Sequence, residues 1–234
     1  MYLKSAKYYD AIYSFVDYAA ASTKLRALLQ ELVPHASSLL DVACGTGKHC
    51  ELIDKDFGTI EGFDISPGLL EVARARLPHR TFHQGDMADF TLGKSFDVVT
   101  CLFSAIAYAE TLERMQATVR NLAAHVAVGG VVIVEPWFSP DTYWSGHVTA
   151  NHVDEPELKI SWMYIAQKVG LVSVLDINYM VGTPQSVEHF KEEHRMGLFT
   201  HQQYLDAFVA AGLDVSHDTK GLVGRGMYVG RRLG

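Results

Sequence analysis

The run Leu39-Leu-Asp-Val-Ala-Cys-Gly-Thr-Gly47 decides the fold class. Ser38 to Ala43 is apolar and short enough for a buried strand, and Gly45-Thr-Gly47 closes it in a tight turn. A helix from about Lys48 leads to a second strand, Thr59 to Asp64. Ser66-Pro67 then opens another helix, with Ser as cap and Pro at the first helical position, and Leu69, Leu70, Val72, Ala73 and Leu77 carry it to Pro78. Thr81 to Gln84 reads as a third strand and Phe96 to Cys101 as a fourth. Leu112, Met115, Val119, Leu122 and Val126 form the apolar side of a helix from Glu110 to Ala127, after which Gly129-Gly130 releases a fifth strand, Val131 to Glu135. Upstream, Leu25, Leu28, Leu29 and Leu32 mark a helix from about Tyr18 to Val33, stopped by Pro34. Such alternation, with nearly all-apolar strands, predicts an α/β fold: a Rossmann-like, mostly parallel sheet covered by helices on both faces.

The pattern breaks after Pro136. Lys159 to Lys168, Leu171 to Met180 and Ser186 to Met196 read as extended strands without intervening helices, so residues 136–198 are expected to form an antiparallel β insert. The alternation resumes where Thr200 caps a helix containing Tyr204, Phe208 and Val209. Two further strands, Leu213 to His217 and Gly226 to Arg231, should make a hairpin at one sheet edge. Residues 1–135 and 199–234 are thus read as the core, and the insert as a cap.

The 234 residues are 48% apolar and 20% charged, which excludes fibrous, disordered and disulfide-stapled classes. A net charge of −7 removes the field that gathers phosphate backbones, so nucleic acid is not an expected partner. Three cysteines, Cys44, Cys50 and Cys101, are odd in number and fit a reducing cytoplasm. No apolar run approaches the ~20 residues of a membrane helix, and Met1 to Asp10 does not read as a signal peptide, so no membrane association is expected.

In an open α/β sheet the ligand crevice lies at the carboxyl ends of the strands, where Gly45-Thr-Gly47 falls. The place of a third glycine in a dinucleotide fingerprint is held by Cys50, which weakens a nicotinamide reading. Asp64 ends the second strand 19 positions after Gly45, where a carboxylate can accept both hydroxyls of a ribose. Asp86 follows the third strand, placed to accept from an exocyclic amino group, with Met87 as an apolar wall for a purine.

These stretches, together with Phe96-Asp-Val-Val-Thr-Cys101 and Gly129-Gly-Val-Val-Ile-Val-Glu135, resemble the ordered motif set of the class I S-adenosylmethionine-dependent methyltransferases. The resemblance implies a seven-stranded sheet with its last strand antiparallel, and S-adenosylmethionine as cofactor with S-adenosylhomocysteine as product. It implies Ala43 to Gly47 beside the methionine part, Asp64 and Ile65 on the ribose side, Asp86 with Met87 on the adenine, and Leu102 in the same site. More narrowly, Gly85-Asp-Met87, Val98-Val-Thr-Cys-Leu-Phe-Ser104, Val134-Glu-Pro-Trp137, Glu192-Glu-His-Arg195 and Gly224-Arg-Gly-Met-Tyr228 resemble the N,N-dimethyltransferases of nucleotide-linked 3-amino sugars, the desosamine and mycaminose enzymes. By that likeness Tyr9 and Tyr18 belong to an N-terminal segment closing over the cofactor. The chain departs from that family at Ser104-Ala-Ile-Ala-Tyr108, where those enzymes carry Ser-Ser-Ile-Gly-His, and at Phe138-Ser-Pro-Asp141, where they carry Trp-Phe-Pro-Glu.

A sulfonium already makes its methyl group electrophilic, so alignment and a modest base suffice for an amine acceptor. The candidate bases are Tyr108 and His189, the latter sharing a strand face with Val187, Lys191, Glu193 and Arg195 at period two. His194 falls on the opposite face with Glu192 and reads as structural. His189 and His194, five apart, suit no shared metal, and no metal site is expected. Arg225, between two glycines, is placed to grip a diphosphate, and Trp137 and Ser104 to line an acceptor pocket. The expected activity is N-methylation of a nucleotide-linked amino sugar. The alternatives are methylation of another small metabolite on N or O, and a non-catalytic binder of the same cofactor. Exposed edges of the insert would also allow two copies to pair as a homodimer.

Overall fold

The structure, a computed structural model, describes residues 2–234. In chain order its helices and strands are α1 (Tyr9–Ile12), α2 (Tyr18–Leu32), β1 (Ser38–Val42), α3 (Lys48–Leu52), β2 (Thr59–Asp64), α4 (Pro67–Arg76), β3 (Thr81–Gln84), β4 (Phe96–Cys101), α5 (Leu112–His125), β5 (Val126–Val134), β6 (Val148–Glu155), β7 (Leu158–Val169), β8 (Val172–Gly182), β9 (Val187–Gly197), α6 (His201–Ala210), β10 (Asp214–Asp218) and β11 (Met227–Arg231). Ser66 caps α4 by accepting from Leu69 N, with Pro67 beginning the helix, and Thr200 and Gln203 form a reciprocal capping box on α6. Both helix starts stand where the sequence signals put them.

Seven strands form one sheet in the order β10-β11-β5-β4-β1-β2-β3. The β1, β2, β3, β4 and β5 pairings are parallel, while β11 runs antiparallel to both β5 and β10. This is the seven-stranded, Rossmann-like arrangement anticipated from the sequence. One buried cluster, with Phe96, Val119, Leu122, Phe208 and Tyr228, packs α5 and α6 on one face of the sheet, and a second, with Leu25, Leu29, Leu70, Ala73 and Phe82, packs α2 and α4 on the other. The fifth strand begins at Val126, earlier than Gly129-Gly130 suggests. Phe96 pairs with Val126, the register then shifts, and Val98 pairs with Val131, so the glycines form a bulge inside the ladder. A Cβ on Gly130 would stand 2.5 Å from the Asp97 carbonyl oxygen, which explains the glycine.

The second sheet is antiparallel, in the order β6-β7-β8-β9. Its first strand, β6, lies outside the three read from the sequence. Trp162, Tyr179 and Phe190 sit side by side on its inner face, as do Ala166, Leu175 and His194, and this face packs with Ile12, Ala107 and Leu198. Met163, Met180, Lys191 and Glu193 face outward. Among the described residues no helix is long and apolar enough to cross a membrane, no cluster of metal-ligating side chains occurs, and the three cysteines are free and buried.

Candidate active site

Because β1 is flanked by β2 on one side and β4 on the other, the loops leaving β1 and β4 part in opposite directions and open a crevice at their carboxyl ends. A cavity of about 760 Å³ lies there, reaching from Gly45, Asp64 and Met87 in the core to Trp162, Tyr179 and His194 on the small sheet. That volume is in the range that encloses small-molecule ligands.

The β1 turn is bare of side chains where it meets the cavity. Ala43 and Gly45 take left-handed backbone angles, φ +59° and +57°, and nothing lies within 4 Å of where a side chain on Gly45 would begin. Asp64, at the end of β2, accepts from Gly45 N at 2.9 Å and Ser66 N at 2.8 Å, so one carboxylate fixes both loops. Burial pushes its carboxyl above the usual range, with the amides of Ser66, Gly45 and Ile65 opposing. Its remaining acceptor capacity faces the cavity beside Ile65. This pairing of an acidic acceptor with open backbone fits the ribose and the sulfonium arm of the cofactor the sequence suggests.

Asp86 and Met87 line the same cavity after β3. Arg114 Nη2 meets both Asp86 oxygens, at 2.9 and 2.7 Å, and together with Ala88 N it outweighs burial and holds that carboxyl below its ordinary value. Sequence reading missed Arg114, which is one turn into α5 and 28 positions away. Tyr9 and Leu102 also line the cavity. Tyr18 lines a smaller adjoining pocket of about 30 Å³ with Tyr9, Ala43, Gly45 and His49. Gly47 stands apart from both: it caps α3 at φ +71°, and a Cβ there would approach Ala73 at 3.3 Å, so its smallness serves helix packing.

In the loop after β4, Phe103 and Ser104 take left-handed angles, φ +52° and +62°. Buried Glu135 accepts from Phe103 N at 2.8 Å and Leu222 N at 3.2 Å, tying the loop after β4 to the loop before β11. Ser104 Oγ donates to the Pro136 carbonyl at 2.6 Å, and Arg225 Nη1 reaches Ser104 Oγ at 3.2 Å. The Arg225 guanidinium lies 4.7 Å from the Trp137 ring centroid, a cation–π stack that leaves the cation at the cavity wall. The structure therefore brings Ser104, Trp137 and Arg225 together.

Of the two candidate bases, Tyr108 lines the cavity and His189 does not. His189 sits on the exposed face of β9, paired across from Met180, and is corrected here as a site residue. His194, read as structural, lines the cavity and places Nδ1 2.8 Å from the Tyr108 hydroxyl. The signal was present: Phe190 and Met196 share the face of His194, while His189 keeps company with Lys191 and Glu193.

The N-terminal segment closes the cavity from above and is fastened at both ends. Asp10 accepts from Thr46 Oγ1 at 2.7 Å and pairs with Arg76 on the core. Glu192 on β9 accepts from Leu3, Lys4 and Ser5 N at 2.9, 2.7 and 3.1 Å, and from the Ser5 hydroxyl. Along this segment Tyr2, Tyr9 and Tyr13 pack edge to face or tilted, with Tyr13 against Phe103. None of these long-range bonds is visible in the sequence.

A family described as a methyltransferase domain matches residues 39–130. The chain is 41% identical over 215 residues to the dTDP-3-amino-3,4,6-trideoxy-alpha-D-glucopyranose N,N-dimethyltransferase of Streptomyces venezuelae, covering 92% of this chain and 91% of that one. The crystal structure of Streptomyces venezuelae DesVI superposes with a TM-score of 0.92 at 40% identity, covering 99% of each chain. The SAM-bound structure of CalS10, an amino pentose methyltransferase from Micromonospora echinaspora, superposes with a TM-score of 0.87 at 33% identity, covering 99% of this chain and 98% of that one.

Proposed function

We propose, because this chain belongs to the class I S-adenosylmethionine-dependent methyltransferases, in the group of the nucleotide-linked amino-sugar N,N-dimethyltransferases, that it methylates the amine of an amino sugar carried on a nucleoside diphosphate. The observation that carries the acceptor assignment is the arginine-lined cavity. One continuous space is lined both by the bare β1 turn and Asp64 and by a guanidinium held by Ser104 and Trp137, so a cationic grip shares the cavity with the cofactor residues.

S-adenosylmethionine, when bound, supplies a methyl group made electrophilic by its sulfonium. Asp64 would accept the ribose hydroxyls, Ala43 and Gly45 would border the methionine arm, and Asp86, Met87, Ile65 and Leu102 would enclose the adenine side, with Tyr9 and Tyr18 closing over them. The pairing of Asp86 with Arg114 orients the carboxylate and leaves its outer lone pairs for an amino group. Arg225 would hold a diphosphate oxygen in a charge-assisted bond. Trp137 and the inner face of the small sheet would exclude water, so that the acceptor nitrogen is aligned rather than chemically activated by a side-chain nucleophile. Residues 136–198 thereby act as the acceptor's cap, and the segment before α2 as the lid of a core formed by 1–135 and 199–234. Three free buried cysteines support a cytoplasmic enzyme.

The test is incubation of the purified protein with S-adenosylmethionine and dTDP-linked 3-amino or 4-amino 6-deoxysugars, read by mass spectrometry. Addition of one and then two methyl groups to the nucleotide sugar is expected. Methylation of the free amino sugar at an equal kcat/KM would remove the nucleotide from the assignment, and no methylation of any amino sugar would overturn it.

A further inference from the structure

Most polar side chains on the cavity wall are already paired with one another. The Tyr108 hydroxyl donates to that of Tyr2 at 3.3 Å and lies 2.8 Å from His194 Nδ1, Tyr2 and Tyr13 share a bond at 3.0 Å, and Trp137 Nε1 donates to Ser173 Oγ at 3.0 Å. Two buried ones are not. Tyr179 on β8 and Trp162 on β7, 2% and 7% exposed, line the cavity, and among the described residues neither the hydroxyl nor the indole N–H has a hydrogen-bond partner. Neither polar atom is sealed in protein as His194 Nε2 is, so both open on the cavity. Tyr164 and Asn151, on the same wall, are less buried and meet solvent.

Trp162 and Tyr179 stand side by side. They are partners in the β7–β8 ladder, which sets their Cβ atoms about 5 Å apart on one face, and the Tyr179 ring is held by stacking on Phe190 at 5.1 Å. Their chemistry is selective. An indole N–H only donates, whereas a tyrosine hydroxyl donates and accepts. An amine about to be methylated must keep its lone pair toward the methyl group, so it cannot accept from either donor. A single sugar hydroxyl satisfies both, accepting from Trp162 while it pairs with Tyr179. Placement says which hydroxyl. Trp137, which stacks on Arg225, is tied to Ser173, and Tyr179 lies six residues along β8 from Ser173, as Trp162 lies six along β7 from Lys168, the partner of Ser173. The pair therefore belongs to the row of cavity-lining sheet residues farthest from that tie. In a hexopyranose gripped through the diphosphate on C1, the carbon across the ring is C4, the neighbour of an amine on C3.

We propose that Trp162 and Tyr179 bind a free hydroxyl on C4, beside the C3 amine, and so select a nucleotide-linked 3-amino sugar that keeps this hydroxyl over its 4-deoxy counterpart. This rests on the amino-sugar reading above and narrows it. A 4-deoxy acceptor would set a methylene against two buried polar groups and take the place of the water that satisfies them in the empty cavity. A site built to bond a substrate hydroxyl rejects the analogue that lacks it far more strongly than an apolar pocket rejects one carbon more or less. Trp162 and Tyr179 decide which acceptor is held, and the methyl transfer itself passes through neither.

The wild type and the Y179F and W162F variants are assayed with a dTDP-linked 3-amino-3,6-dideoxyhexose, which has hydroxyls at C2 and C4, and with its 4-deoxy and 2-deoxy counterparts. S-adenosylhomocysteine affinity and near-UV circular dichroism check folding. In the wild type, kcat/KM should be about 30- to 100-fold lower for the 4-deoxy sugar than for the parent, and within a few-fold of the parent for the 2-deoxy sugar. Y179F should narrow the preference for the 4-hydroxyl to a few-fold. A general loosening of the small sheet would lower both substrates alike and leave that ratio where it was. W162F should narrow it likewise, and if W162F fails to fold, Y179F decides alone. Calorimetry of the same sugars on the S-adenosylhomocysteine complex reads the ratio without turnover. Equal kcat/KM for the parent and 4-deoxy sugars in the wild type, a preference that survives in Y179F, or a loss confined to the 2-deoxy sugar would overturn the inference. Methylation of 4-amino sugars alone would also overturn it and leave the amino-sugar reading standing. No methylation of any amino sugar would bring down that reading, and this one with it.

Discussion

Replacing Glu192 by Gln probes the fastening of the N-terminal segment with little change in shape. Glu192 Oε1 accepts three amide protons, from Leu3, Lys4 and Ser5 at 2.9, 2.7 and 3.1 Å, and Oε2 accepts the Ser5 hydroxyl. A glutamine oxygen can keep the amide contacts, so the loss is chiefly that of charge. Hydrogen bonds to a charged partner contribute about 1.5–3 kcal/mol and neutral ones about 0.5–1.5, a difference near 1 kcal/mol each. One oxygen has two lone pairs for three amides, so two full differences, about 2 kcal/mol, is the reasonable sum. Spent on local opening, about 2 kcal/mol raises amide exchange of residues 3–5 by roughly 30-fold, read by hydrogen-exchange mass spectrometry on the N-terminal peptide. The pH dependence has a definite sign. A carboxyl held below its unfolded value stabilises above the ordinary glutamate pKa of about 4.3, and this is lost as pH falls through the folded value, so wild-type protection should decline only below about pH 4. The Gln variant lacks that dependence, and comparison at equal pH cancels the titration of His194. Equal exchange in both proteins at pH 7 would refute the account of Glu192 as the fastener.

Asp64→Asn should weaken S-adenosylmethionine binding by about 1.5–3 kcal/mol, or roughly 10- to 150-fold, because a neutral amide cannot accept at both oxygens; unchanged affinity by calorimetry would remove Asp64 from the cofactor site. Arg225→Ala should raise KM for a nucleotide-linked amino sugar by a similar factor and leave kcat within a few-fold, whereas an equal loss with the free amino sugar would show that Arg225 does not meet the diphosphate. Gly62→Ala would put a Cβ 2.4 Å from Phe82 Cδ1 and 2.7 Å from Cys44 Sγ, so the core beneath the site must shift. About 1–3 kcal/mol of destabilisation is expected, seen as a melting point lowered by several degrees, and an unchanged melting curve would show that Phe82 moves without cost.

The core of the fold was legible because its rules are local. Strands β1, β2, β4 and β5 are apolar on both faces, and caps such as Ser66-Pro67 and Thr200 fix helix starts within a residue. Strand β6 was missed because Val148–Glu155 is an exposed edge strand, with Thr149, Asn151, His152 and Asp154 among its residues, and its polarity resembles a loop. The bulge at Gly129-Gly130 depends on pairing with Arg232, about a hundred positions on, which no local pattern carries. In β9 the period-two pattern divided the side chains into two faces correctly, but charge was taken as the mark of the site. The face with Phe190 and Met196 had to be inward, because only it can bury apolar area, and His194 and Glu192 went with it.

The site itself is where local preference is overridden. Ala43, Phe103, Ser104 and Glu110 hold left-handed angles that cost non-glycine residues of order 1–3 kcal/mol each, and all four lie in the loops after β1 and β4. Such conformations persist only where surrounding bonds over-determine them. For Phe103 and Ser104 the bonds are those of Glu135, whose two oxygens take Phe103 N and Leu222 N, and of Ser104 Oγ, which is shared between the Pro136 carbonyl and Arg225. Glu135 directly follows the apolar run of β5, and burial pushes its carboxyl up while those amides pull it back. It therefore does for the loops after β4 and before β11 what Asp64 does for those after β1 and β2: one buried carboxylate just at the end of a strand ties two loops together. A sequence pattern locates such a carboxylate, since it ends an apolar strand, but the amides it collects come from loops the pattern leaves undefined.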